Sequence, residues 1–132
     1  TAALSVQYQA HFANTGWMPS WAQDGGTAGV PGGNQMEAIK IITTSYSITS
    51  QAHVAFDGWL GWVSNGAVAV TTGQGKSLQA IQIQLQGAPA NLHVQYRAYV
   101  QGLGWQGWVS DGATAGTTGQ GRAIQAIEIR IS

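Results

Sequence analysis

The chain has no cysteine, only three prolines in 132 residues, and charge on only 8% of its side chains. Each shortage excludes something. Without thiols there are no disulfides and no thiolate metal sites, and the redox compartment leaves no trace. Five basic residues balance five acidic ones, and Lys40, Lys76, Arg97, Arg122 and Arg130 are scattered, so the basic footprint of a nucleic-acid binder is missing. No apolar run approaches the roughly 20 residues with which a helix crosses a bilayer, so membrane insertion is not expected. A sustained 3.6-residue period is also missing, and little helix is expected. The polar surface must therefore consist of Gln, Ser, Thr and Asn, which suits neutral, hydroxyl-rich partners. The opening Thr-Ala-Ala, with no methionine and no leader, fits loss of an initiator Met or of a signal peptide.

Glycine and tryptophan, by contrast, are plentiful and recur in the same words. "GWMPSWAQDGGTAGVPGG" (16–33), "GWLGWVSNGAVAVTTGQG" (58–75) and "GWQGWVSDGATAGTTGQG" (104–121) are copies of one segment. Their first indoles, Trp17, Trp59 and Trp105, lie 42 and 46 residues apart. Seven residues before each stands an alanine (Ala10, Ala52, Ala98), and 21 after each stands another (Ala38, Ala80, Ala126). Such fixed spacing marks internal repeats. The chain is read as one domain, 1–132, built from three repeats at about 4–42, 46–85 and 92–131.

Each repeat reads as β. In the opening segment of the third, Val94, Tyr96, Ala98 and Val100 alternate with Gln95, Arg97 and Tyr99, the period of a half-buried strand. In the closing segment Ile127, Ile129 and Ile131 alternate with Glu128 and Arg130, whereas Ile124 and Ala126 keep the opposite parity. A bulge near Ala126 and its counterparts is therefore expected. Three units that cannot bury their apolar faces alone must share one core. The expected fold is all-β, a closed pseudo-threefold architecture of the β-prism kind, with a β-trefoil as the alternative.

Residues three apart on a strand face opposite ways. On that parity Trp105 and Trp59 should point inward, and Trp108 and Trp62 outward. In the first copy the indoles Trp17 and Trp21 are four apart, and a bulge at Pro19 would restore the arrangement. After each second indole come Asp24-Gly25, Asn65-Gly66 and Asp111-Gly112. These are turn dipeptides, and the turn alone accounts for them. The same residues also suit a sugar: an indole stacks on the C–H face of a pyranose, and a short carboxylate or amide accepts from its hydroxyls. Glycine would let the ligand approach the main chain. His11 and His53, replaced by Tyr99 in the third copy, are outward rings that could line such a site. Gln74 and Gln120 of the "TTGQG" loops could do the same, while His93 lies outside the pattern.

Neither a metal nor another cofactor is expected, since no ligand cluster has suitable spacing. Catalysis is not expected either. The repeat sends Asp24 and Asp111 to different units, and Glu37 and Glu128, which stand among the closing-strand isoleucines, are expected to be solvated surface residues. A glycosidase would need two carboxylates about 5–9.5 Å apart.

"VQYRAYVQGLGWQGWVSDGATAGTTGQGRAIQAIEIRI" resembles the clostridial hydrophobic repeat with a conserved Trp, the ChW repeat, whose hallmarks are "GWxxWVSDGxxAGTTGQ" and a closing "xAIxI". The likeness extends over all three copies, with Asn65 for Asp, Val70 for Gly and an irregular first copy as departures. It implies a bacterial extracellular or cell-surface protein that binds polysaccharides or proteins. Three copies without a catalytic domain resemble a small lectin. The expectation is up to three shallow sugar sites acting together on a glycan, with room for a homo-oligomer. The alternative is a surface module that binds protein through exposed tryptophans.

Overall fold

The alternation in the opening segments becomes alternation in burial, Val6, Tyr8, Ala10 and Phe12 pointing inward and the residues between them outward. The computed structural model describes residues 5–30, 32–43, 46–55, 57–64, 76–118 and 120–131. The first repeat supplies β1 (Val6–Phe12), β2 (Gly16–Trp17), β3 (Ala22–Gln23), β4 (Thr27–Gly29) and β5 (Met36–Thr43). The second supplies β6 (Ser47–Val54), β7 (Gly58–Trp59), β8 (Val63–Ser64) and β9 (Leu78–Gln86). The third supplies β10 (Val94–Val100), β11 (Gly104–Trp105), β12 (Val109–Ser110), β13 (Ala115–Gly116) and β14 (Ile124–Ile131). Among the described residues there is no helix.

Opening and closing strands pair antiparallel within each repeat: β1 with β5, β6 with β9, β10 with β14. Each ladder skips one residue at the same place. Ala38, Ala80 and Ala126 oppose His11, His53 and Tyr99, but the next pairs are Phe12–Met36, Val54–Leu78 and Val100–Ile124. The expected bulge is there, and its extra residues are Glu37, Gln79 and Gln125. By absorbing one residue it turns Met36 as well as Ile39 and Ile41 toward the core.

On its other edge each opening strand carries two dipeptide strands from the Trp/Gly segment, β2 and β3 on β1, β7 and β8 on β6, β11 and β12 on β10. The extra residue of the first copy falls between β2 and β3, around Pro19, so both strands keep their register on β1. The continuation then leaves its own sheet. β4 of the first repeat pairs with β14 of the third, and β13 of the third pairs with β9 of the second. The corresponding part of the second repeat lies outside the described residues. Gly29 and Gly116 permit the crossing: both hold positive φ (104° and 98°), and a Cβ would come within 2.4 and 2.3 Å of a neighbouring carbonyl oxygen.

Among the described residues the result is three sheets, none of which closes into a barrel as a trefoil would require. All three repeats feed one apolar cluster, with Ile39, Ile81 and Ile127 at equivalent positions. Buried tyrosines fasten repeat to repeat. The Tyr8 hydroxyl accepts from Ile129 N–H at 3.1 Å and donates to the Gly26 carbonyl. Tyr96 accepts likewise from Ile83 N–H at 3.0 Å and donates to Ala113. Burial pushes the Tyr8 hydroxyl pKa up to about 12 and raises that of Tyr96 in the same sense. In the second repeat the buried Ser50 stands in this position.

Candidate functional site

In register, Trp17 opposes His11, Trp59 opposes His53 and Trp105 opposes Tyr99. Opposed residues share a face, and the neighbours of these rings on the opening strand point into the core. The first indoles therefore lie on the outer faces of the sheets, contrary to the parity argument that sent Trp59 and Trp105 inward; Trp59 is 37% exposed. The three ring pairs meet edge to face at 5.2, 5.3 and 5.5 Å, with interplanar angles of 79–82°. The second indoles are on the outside too: Trp21 is 39% and Trp62 44% exposed, and Trp108 is half-buried. The Arg97 guanidinium lies 4.6 Å from the ring centre of Trp105 and 5.0 Å from that of Trp108, so both indoles share one face. Parity fails because the segment is not one strand. It breaks between the dipeptides, at Gly61 (φ 91°) in the second repeat.

The polar surroundings differ among the repeats. In the second, Gln51 donates to Gln82 at 2.6 Å, and Gln82 donates to Thr114 of the third repeat at 2.9 Å. In the third, Arg97 donates to Glu128 at 2.7 Å, and Thr27 of the first repeat donates to Glu128 at 2.6 Å. Each of these two faces is thus completed by a threonine from a neighbouring repeat. Besides Arg97 over Trp105 and Trp108, Lys40 Nζ sits 4.2 Å from the centre of Trp17 and Arg130 3.9 Å from that of Trp108, so three indoles carry a cation. Glu37 and Glu128 are not the solvated surface residues expected. The bulge draws Glu37 to 5% exposure, 3.0 Å from His11 Nδ1. Gln79 stands 3.1 Å from His53 Nδ1 in the same way. Gln125, whose partner ring is a tyrosine, binds Gly32 N–H and the Gly33 carbonyl instead, both at 3.1 Å.

The Asp-Gly turns form as expected. Asp24 and Asp111 both have φ 49°, and Gly25 and Gly112 have φ 86° and 87°, the all-positive pattern of a type I′ turn. Each aspartate also clamps the start of an opening strand. Asp24 Oδ1 accepts from Val6 N–H at 2.9 Å while Asp24 N–H donates to the Val6 carbonyl at 3.1 Å, and Asp111 does the same with Val94. The following glycine N–H groups donate across the repeat boundary, Gly25 to Ile129 at 2.6 Å and Gly112 to Ile83 at 2.7 Å. The second oxygen of Asp111 is held by His93, which joins the site the sequence pattern had left it out of. Gln120 is exposed; Asn65, Gly66 and Gln74 lie outside the described residues.

One concavity stands out in the first repeat. A cleft of about 520 Å³ lies beside Trp17, lined by the buried Phe12 and half-buried Met18 and by the exposed Thr15, Thr27, Val30 and Asn34. Sequence reasoning did not find it, because its walls come from the β1–β2 turn and a loop more than ten residues on. Among the described residues, no three His, Asp or Glu side chains are grouped to hold a metal.

The family described as Clostridial hydrophobic W, ChW, matches residues 11–44, 53–87 and 99–132. The chain belongs to this family. Each ChW match begins on the outer ring residue itself, His11, His53 or Tyr99, and runs through the indole pair to the end of the closing strand. The ring pair and the bulge both fall inside the ChW unit. No curated protein and no solved structure matches the chain.

Proposed function

We propose that this ChW protein is a non-catalytic lectin whose three sheets, arranged as a pseudo-threefold β-prism, each present a shallow saccharide site on the outer face. The recurrence of one motif carries the reading: a polar aromatic ring braced edge-on against an indole, with a second indole beside it. A braced indole offers a fixed apolar wall for the C–H face of a sugar at little entropic cost, and the neighbouring glutamines and threonines offer neutral hydrogen-bonding partners. The turn aspartates act in this proposal as supports that position Trp21 and Trp108, since their Oδ1 atoms already bind the main chain. Single sites of this kind bind weakly, and three on one body gain avidity on a repeating glycan, by about 10²–10⁴ where the geometry permits. A bacterial cell-surface or secreted setting fits that use.

The test is retention on a glycan array together with agglutination of glycan-coated particles. The Trp59→Ala, Trp62→Ala double variant is expected to lose most of the avidity while remaining folded. A folded protein retained on no glycan would refute the proposal. One observation favours a protein-binding surface as the second reading: Trp59, Leu60 and Trp62 make a run of exposed apolar side chains in the second repeat. In that case the double variant would lose a protein ligand and no glycan.

A further inference from the structure

The place of the Trp17 cleft is bridged by a side chain in the third repeat. Met18 and Gln106 hold the same backbone position, their N–H groups donating to the carbonyls of Ala10 and Ala98 at 3.0 Å each. In the third repeat the Gln106 side chain reaches across to Gly116, accepting from its N–H at 2.7 Å. In the first repeat Met18 packs against the core instead, and the space beside Gly29, the counterpart of Gly116, stays open as the 520 Å³ cleft. The irregularity of the first copy thus creates a site where the third has a plug.

The chemistry of the walls says what fits. The volume lies within the roughly 300–1,000 Å³ of small-molecule sites. None of the lining side chains is charged, and Lys40, 4.2 Å from the centre of Trp17, is not among them, so a carboxylated or phosphorylated sugar would be desolvated without a direct ion pair in the cleft. Phe12, Trp17 and Met18 would leave the hydroxyls of an unsubstituted hexose unpaired at that end. Thr15 and Asn34 at the rim can meet hydroxyls at the other. We infer that this cleft binds a neutral saccharide bearing a methyl-terminated substituent, an N-acetyl or 6-deoxy group, with the methyl against Phe12 and Met18. The inference rests on the lectin reading above and gives one of its sites a ligand class.

The experiment is NMR on the full chain, following the indole N–H signals and saturation transfer to N-acetylglucosamine, fucose and glucose. The methyl protons of the first two should receive the strongest transfer, and Trp17 should shift. Affinity should exceed that for glucose about fourfold, the effect of burying one methyl. Met18→Gln, which copies the plug of the third repeat, should abolish the Trp17 response. Val30→Glu, at a position 68% exposed and harmless to folding, should weaken it by bringing a charge to the lip. If sugars shift Trp59, Trp62 or Trp108 but leave Trp17 silent, or if neither substitution changes the Trp17 response, the inference is wrong and the lectin reading stands. If no indole responds to any saccharide, the lectin reading fails and takes the inference with it.

Discussion

The first and third repeats share a backbone and differ in their surfaces. Both fold an Asp-Gly turn at φ 49°, both pass a glycine N–H to the neighbouring closing strand, and both lock it with a buried tyrosine. Yet the third covers Trp108 with Arg130 and plugs its cleft with Gln106, while the first leaves Trp21 bare and its cleft open. In these two repeats the parts that join one repeat to the next are held to one design, because each serves two sheets at once, although the second repeat carries Ser50 in place of the tyrosine. The outward parts serve one face each and are free to diverge.

The comparison can be broken most forcefully at the crossing glycines. Gly29→Ala and Gly116→Ala should each destabilise the protein by about 3 kcal/mol in urea denaturation, from strain at positive φ together with collision against a backbone carbonyl. An effect in only one repeat would mean that the exchange is not a shared device. Tyr8→Phe and Tyr96→Phe should follow at about 1–3 kcal/mol each, since Ile129 N–H or Ile83 N–H is left buried without an acceptor. The tyrosines also make an alkaline limit. A Tyr8 pKa raised from 10.0 to about 12 means that its contribution is complete below pH 10 and is lost as the pH rises toward 12. Thermal melts across that range should show the decline in wild type and less of it in Tyr8→Phe.

Smaller effects sharpen the contrast. Asp111→Ala should cost about 1 kcal/mol by freeing Val94 N–H, whereas Asp111→Asn, the residue the second repeat carries, should cost less. His93→Ala, which removes only an exposed partner of Asp111, should change stability by under about 0.5 kcal/mol. Equal losses for His93→Ala and Asp111→Ala would show that the exposed pair, and not the main-chain clamp, is what matters. Gln106→Ala should cost about 1 kcal/mol while opening in the third repeat a cleft like the one in the first. A second indole, Trp105, responding to N-acetylglucosamine in that variant would tie the ligand directly to the missing plug.

Much of this was legible in the residues. Alternation in "VQYRAYV" reports burial on one side, and the parity change before Ala126 reports the bulge, because both are local consequences of a two-residue period. Asp-Gly reports a turn for an equally local reason. The facing of the indoles was not legible. It depends on which opening-strand residue Trp59 or Trp105 opposes, and the glycines beside them interrupt the strand that a parity count assumes. Glu37 misled for a different reason: a carboxylate reads as surface by its chemistry, although it shares the parity of Ile39 and Ile41, and the bulge sets it against His11 out of solvent.

The number of repeats, their opening and closing strands, the bulge and the Asp-Gly turns follow from the sequence alone, since each is set by spacing within a few residues. Which sheet receives β4 and β13, which threonine completes which face, and whether the space beside an indole is open or plugged were decided only by tertiary structure. Those outcomes depend on contacts between segments up to 101 residues apart, such as Thr27 with Glu128, whose partners no local pattern names.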